Sequence, residues 1–298
     1  MKNKINFIPP LIKVGIYCFT IVFNCTCNFE ENLTDNHDNS IEEPYDVETD
    51  NDQIGYVRSN NLDSVILFPN MDSFLSYYKS EVDFLEGQQL QLLFAFDNLR
   101  KETILEFGSQ PDFSDTTVLN WLNTKTIQIY GDVGFELPES INFQSVFNGQ
   151  ANLGPADDPY FTPPSFYEHK FFTGAELDFP SQPNLDVTEL PSPVCEDEND
   201  YVVSLADLSL SPKSSGGHWE DKISSFGADY HPSYKFSIFL FRNKDFRTGT
   251  CRVFYIDIED DFWIDDADEV NFFAGLTLFC ADLNDRISSL KLVQLCRH

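Results

Sequence analysis

Residues 166–174 read FYEHKFFTG, and residues 239–249 read FLFRNKDFRTG. The first stretch has aromatic residues at Tyr167 and Phe172 and a glycine at Gly174. The second stretch keeps the spacing of the aromatic residues and places its glycine one position later. This spacing predicts a strand followed by a hairpin that folds back over the sheet, with glycine where the turn needs a positive φ. Because the pattern occurs twice, the sequence predicts an internal repeat of a β unit.

A second motif closes each copy. Residues 219–225 read WEDKISS, and residues 283–290 read LNDRISSL. The pattern is Asn or Asp twice, any two residues, Ser or Thr, then Ser; Glu220 departs from it at the first position. This is the calcium-binding motif of βγ-crystallins, and Pro164–His298 resembles a complete βγ-crystallin domain of two Greek-key motifs. One such motif alone would more simply be read as turn-capping Asp and Ser; two different motifs repeated in the same order are far more specific.

The resemblance implies calcium sites that each draw on both copies. The ligands would be oxygen atoms of side chains and of backbone carbonyls, which suits a hard cation such as Ca²⁺. Few carboxylates per site imply modest affinity, with Kd of roughly 10⁻⁴ to 10⁻³ M at the weak end. Ser225 and Ser289 would instead bond to the folded hairpin of their own copy. The residues that the resemblance assigns as ligands are Asp221, Lys222, Ser224, Asp285, Arg286 and Ser288, with Lys222 and Arg286 acting through their carbonyls.

Both copies are lengthened between hairpin and closing motif, over Pro180–Asp200 and over the acidic run Asp257–Glu269. The acidic run lacks the glycine that an EF-hand loop needs for its sharp turn. We expect it to be a solvated loop, with an additional cation site as the alternative.

The region before the repeat has a different pattern. Apolar residues recur at helical spacing from Met71 to Leu85, and a second helix is predicted over Gln88–Phe107. Thr126–Asp132 is predicted as a short strand and turn. Two helices followed by such a segment resemble the N-terminal unit of some Bacteroidetes cell-surface lipoproteins, a resemblance that brings no activity with it. The predicted fold class is α+β overall, with a C-terminal all-β Greek-key sandwich of βγ-crystallin type after a small, mostly helical region.

The N-terminus is typical of an export signal. Three lysines precede the short apolar run Val14–Phe23, which is followed by Cys25 and Cys27 and then by acidic residues. This order resembles a bacterial lipoprotein signal in which Cys27, or else Cys25, is lipidated; a cleaved secretory signal is the alternative. The protein is therefore expected at the outer membrane or cell surface as a lipoprotein, or secreted.

Cysteine parity agrees weakly with Cys27 as the anchor. Four cysteines then remain in the mature chain, an even number that is compatible with two disulfides in an oxidising compartment. The sequence leaves their pairing open. They are Cys195, Cys251, Cys280 and Cys296.

These patterns predict five segments. They are a signal peptide (1–27), a disordered acidic tether (28–61), a small helical or α+β domain (62–147), a linker (148–163) and the βγ-crystallin-like domain (164–298).

Composition and motifs reduce the number of functional classes that fit the chain. The net charge of −30 argues against nucleic acid as a partner, since phosphate binding needs clustered Lys and Arg. The five histidines lack metal-ligand spacing and no nucleophile or phosphate-loop motif occurs, so we expect a protein that is not an enzyme. The favoured hypothesis is a calcium-binding protein with a structural or adhesive role, anchored to a membrane and contacting an unknown protein or cell-surface partner. The alternative is a secreted protease inhibitor or other binding module on the same fold.

Overall fold

The computed structural model describes residues 53–148, 164–177, 182–196, 198–241, 243–246, 253–264 and 287–297. They belong to one compact unit, Val47–His298. The fold is mixed α/β, with helices and two β-sheets. The strands are β1 (Ile54–Arg58), β2 (Asn61–Phe68), β3 (Ser165–His169), β4 (Thr173–Glu176), β5 (Leu185–Pro191), β6 (Asn199–Leu205), β7 (Ser225–Ala228), β8 (Tyr234–Phe241), β9 (Val253–Ile258), β10 (Phe262–Ile264) and β11 (Ser289–Cys296).

The two sheets exchange strands between the two copies of the repeat. The larger sheet has the order β2-β1-β9-β8-β11-β6-β5, and the smaller sheet has the order β10-β7-β3-β4. The smaller sheet therefore combines three strands of the first copy with β10 of the second. The larger sheet combines β8, β9 and β11 of the second copy with β6 of the first. Leaving out the additional strands β1, β2 and β5, both sheets show one order: second, first and fourth strand of one copy, then the third strand of the other.

Strand β11 shows how the larger sheet is buried on both faces. Side chains alternate along a strand. Leu290 and Leu292 belong to the apolar core that also holds Phe166 and Phe226 of the smaller sheet. Val293 and Leu295 belong to a second core, which the sheet shares with the helices. Each fully buried side chain of this kind stabilises the fold by roughly 1.5–3 kcal/mol.

The helices cover the second face of the larger sheet. The first three helices in chain order each begin after an Asn or Asp residue whose side chain accepts a backbone N–H group of the first turn. These N-cap residues are Asn70, Asp83 and Asp115. None of the helices in the described part of the chain is long and apolar enough to span a membrane. The helices are α1 (Met71–Tyr77), α2 (Phe84–Phe107), α3 (Thr116–Val133) and α4 (Phe143–Asn148).

The structure confirms one local prediction in this region and corrects another. The predicted helix over Gln88–Phe107 is confirmed as most of α2. The strand predicted over Thr126–Asp132 is wrong, because these residues lie within α3. Thr126, Tyr130 and Val133 are buried, at a spacing of four and then three residues that puts them on one helix face. Packing of that face outweighs the β propensity of the isoleucines and threonine.

The predicted segment boundaries also differ from the structure. Strand β1 lies inside the predicted tether, and it pairs in parallel with β9 of the C-terminal sheet. The helices share one apolar core with that sheet, so they form a layer on it and not a domain of their own. Most of the predicted linker, residues 149–163, lies outside the described residues, as does the predicted signal peptide.

One disulfide joins distant parts of the sheet region. Cys195 and Cys296 are bonded, with their Cα atoms 6.3 Å apart and a sequence separation of 101 residues. Cys251 and Cys280 lie outside the described residues. The structure therefore assigns one pairing that the sequence had left open.

Candidate functional site

The two predicted hairpins fold back in the same way. Phe171 and Phe172 in the first copy have φ of 59° and 54°, and Asp245 and Phe246 in the second have 56° and 58°. Positive φ is uncommon for residues other than glycine. Its occurrence at equivalent positions shows that both copies make the same turn.

Aromatic contacts and a glycine accompany the first turn. The rings of Tyr167 and Phe172 meet edge to face, with centroids 5.7 Å apart. Gly174 has φ of 85°, and a Cβ atom there would lie 2.7 Å from Cδ2 of His169. Glycine is thus needed for conformation and for space. The equivalent rings of the second copy, 5.3 Å apart, repeat the edge-to-face contact.

A serine holds each turn. Ser225 Oγ donates to the carbonyl of His169 (2.7 Å) and accepts from the N–H of Phe172 (3.1 Å). Ser289 Oγ donates to the carbonyl of Asn243 (2.6 Å) and accepts from the N–H of the second aromatic residue of its own hairpin (3.2 Å). These four hydrogen bonds confirm that each serine binds the hairpin of its own copy.

Replacing Ser225 or Ser289 by alanine should therefore destabilise the fold. Each substitution removes two hydrogen bonds at a buried site, and we expect a loss of about 1–3 kcal/mol in the free energy of unfolding. Urea unfolding would measure it, with Ser80→Ala on the exposed surface as the control. An unchanged midpoint in both hairpin variants would contradict this role.

The closing motifs of the two copies meet beside these hairpins. Asp221 N donates to the carbonyl of Ile287 (3.2 Å), and Ser288 Oγ donates to Asp221 Oδ1 (3.4 Å). Ser224 Oγ donates to the carbonyl of Glu168, 3.0 Å away. Carboxylate, hydroxyl and carbonyl oxygens are thus gathered from both copies.

The structure describes four of the six predicted ligands. Asp221 and Ser288 are in contact, and Ser224 faces its own hairpin. Lys222 is exposed, so its charge is in solvent. The remaining two predicted ligands, Asp285 and Arg286, and the predicted lipidation cysteines, Cys27 and Cys25, lie outside the described residues. Within the described ranges, no group of three or more His, Cys, Asp or Glu side chains is placed to hold a metal ion.

An ion pair between the two copies gives a role to Glu220, which stands where the closing motif has Asn or Asp. Lys244 Nζ lies 3.1 Å from Glu220 Oε1 and 3.2 Å from Asp207 Oδ1. The hydrogen bond with Glu220, together with that to Asp207, raises the pKa of Lys244. The longer side chain of glutamate thus reaches the hairpin of the second copy, a role that the sequence pattern had not indicated.

The first hairpin carries its own charge pair. Glu168 forms a salt bridge with Lys213 and accepts a hydrogen bond of 2.8 Å from Ser215. The hydrogen bonds from Lys213 and Ser215 lower the pKa of Glu168 to about 2. Its side chain is therefore ionised and paired, which leaves its backbone carbonyl as the group that faces Ser224.

The acidic run contains a buried charge that was missed. Asp257 was expected to be in a solvated loop or at a cation site, but it lies in β9 and is fully buried. Its carboxylate accepts hydrogen bonds from Tyr56 (3.0 Å) and Tyr78 (3.1 Å) and lies 3.1 Å from Lys235 Nζ. Burial raises the pKa of Asp257 in spite of the opposing charge of Lys235. The available signal was the apolar run of residues 253–258, VFYIDI, since its β-branched and aromatic residues continue on both sides of position 257 and mark a buried strand.

Comparisons with known proteins found no relative of this chain. A scan against models of protein families found none that matches the chain, and searches of curated proteins and of solved structures returned no match. The function is therefore inferred from the chain's own residues and their arrangement.

Proposed function

We propose that residues 164–298 form a βγ-crystallin-type Greek-key domain that binds calcium. Three observations support the proposal. The sheets exchange their third strands between copies. The hairpins have equivalent positive-φ turns. Equivalent serines hold those turns. A duplicated unit with exchanged strands brings the two closing motifs together, which is what shared cation sites require.

The contact between Asp221 and Ser288 carries the proposal. These residues are 67 positions apart in the sequence, belong to different copies and lie 3.4 Å apart. A cation placed there would be bound by the carboxylate oxygen of Asp221 and by the hydroxyl oxygen of Ser288. By the equivalence of the copies, Asp285 would pair with Ser224 in a second site, next to the carbonyl of Glu168. Oxygen ligands of mixed type, with few carboxylates, suit Ca²⁺ at modest affinity.

The predicted export signal and the acidic sequence support a proposal for the cellular role. We propose an exported, lipid-anchored protein in which calcium ties two loops together and stabilises a structural or adhesive domain. The ion stabilises the native state because the unfolded chain lacks the assembled site.

Calcium titration tests the proposal. We expect heat on binding and a raised melting temperature, equivalent to about 2.7 kcal/mol when free calcium is 100 times Kd. Asp285→Ala should weaken the binding and the thermal protection together, and Asp221→Ala should do the same at the other site. Glu259→Ala is the matched control: Glu259 belongs to the acidic run and is paired with Asn60 (2.7 Å) and Arg58 (3.8 Å).

Each failure of this test has a distinct meaning. No heat with calcium would refute calcium binding, and binding to a protease without calcium would support the inhibitor hypothesis. An equal loss of calcium binding in Glu259→Ala and Asp285→Ala would move the site to the acidic run.

A further inference from the structure

A cavity of about 530 Å³ lies between α2 and the larger sheet. Its volume is within the range of small-molecule sites. One wall is apolar and largely aromatic, with Phe94, Phe239 and Phe246 among the lining residues. Pockets of this kind bind a ligand through an apolar surface and a few placed polar groups.

The polar groups of the cavity are two lysines that share one carboxylate. Lys291 Nζ lies 2.5 Å from Asp97 Oδ2, and Lys101 Nζ lies 3.1 Å from the same atom. Both ammonium groups also lie over the ring of Phe246, at 4.4 and 5.3 Å from its centroid. Two positive charges and one negative charge leave this cluster cationic.

Among the described residues, neither of the other two acidic side chains of the lining forms an ion pair with Lys101 or Lys291. Asp186 forms a salt bridge of 2.5 Å with Arg100, and Asp245 lies at the turn of the second hairpin. Lys291 is buried, and burial lowers its pKa to about 8, although Asp97 acts in the opposite direction. A second anion at the cluster would offset the cost of burying this ammonium group.

We propose that this cavity binds a small amphiphilic carboxylate, with its apolar body against the phenylalanines and its carboxylate between Lys101 and Lys291. The two ammonium groups select an anion at this point of the cavity, although the chain as a whole carries −30. The aromatic wall selects an apolar body. A ligand that has both features matches the cavity better than a free inorganic anion or a neutral hydrocarbon.

The test is a calorimetric titration of the full chain with sodium dodecanoate and, separately, with 2-naphthoate. Both are run in EDTA so that the result does not depend on calcium, and dodecanol and 2-naphthalenemethanol serve as neutral analogues. We expect at least one carboxylate to bind tenfold or more tightly than its alcohol. Which of the two binds better distinguishes an aliphatic from an aromatic ligand.

Variants assign the binding to the cavity. Lys101→Met, at a half-exposed position that should tolerate the change, is expected to weaken carboxylate binding at least tenfold. Lys125→Met on α3, where the lysine pairs with Glu102 at 2.9 Å, is the matched control and should leave Kd unchanged. Equal affinities for carboxylate and alcohol, or an unchanged Kd in Lys101→Met, would overturn the proposal.

Discussion

Replacing Asp257 by alanine is expected to destabilise the protein by about 3–5 kcal/mol, among the largest effects that a single substitution in the described residues should have. The side chain is fully buried in β9 and accepts hydrogen bonds from Tyr56 and Tyr78. Its removal takes away an acceptor from both tyrosines. It also leaves the buried ammonium of Lys235 with Glu86 (2.6 Å) as its carboxylate partner. Removing one member of a buried ion pair costs more than the pair contributes, because the other charge stays buried.

Chemical unfolding in urea measures this effect. Asp260→Ala is the matched control, because Asp260 belongs to the same acidic run and is exposed. We expect the control to change the free energy of unfolding by less than about 0.5 kcal/mol. If the two variants were equally stable, Asp257 would have to be solvated, as the sequence had suggested.

Removing the disulfide is the second large effect. In the chain-entropy model, a bond that closes a loop of about 100 residues stabilises the fold by about 4.7 kcal/mol, and measured losses are typically about 2–5 kcal/mol. The bond between Cys195 and Cys296 spans 101 positions, so Cys195→Ala/Cys296→Ala should fall near the upper end. The comparison is the urea midpoint of this variant against that of the unmodified protein.

Reductant and a second variant make the test specific. Cys251→Ala/Cys280→Ala keeps the observed disulfide, so its midpoint should fall when reductant is added. The variant without Cys195 and Cys296 should already have the lower urea midpoint before reductant is added. An unmodified protein whose midpoint is the same with and without reductant would show that the bond contributes nothing to stability.

The sequence predicted the local parts of the repeat because short-range patterns encode them. The turn at Phe171 and Phe172 follows from the aromatic spacing and a glycine, and Ser225 and Ser289 close the two copies at equivalent positions. Their hydrogen bonds span about 50 residues, but the resemblance of the motifs to those of βγ-crystallins indicates both ends of each bond. Helix α2 was likewise predictable from apolar periodicity.

Other features depend on which distant elements come together. Thr126 and Tyr130 have side chains that suit a strand, and only packing of one α3 face favours the helix. Asp257 resembles the solvated acids that follow it, and its burial depends on Lys235 and two tyrosines far away in the chain. The cavity between α2 and the sheet could not be predicted either, because Asp97 and Lys291 are 194 residues apart.

The position of β1 has a mechanical consequence. This strand lies between β2 and β9 and runs parallel to β9; since β8 is antiparallel to both β9 and β11, β1 and β11 run in the same direction. Tension between the start of β1 and the end of β11 therefore loads the intervening backbone hydrogen bonds in shear. Shear requires many bonds to break together, whereas peeling of an edge strand breaks them one after another. A protein held at a surface by its N-terminal side and pulled from its C-terminal side would thus meet the force in the direction in which its sheet resists best.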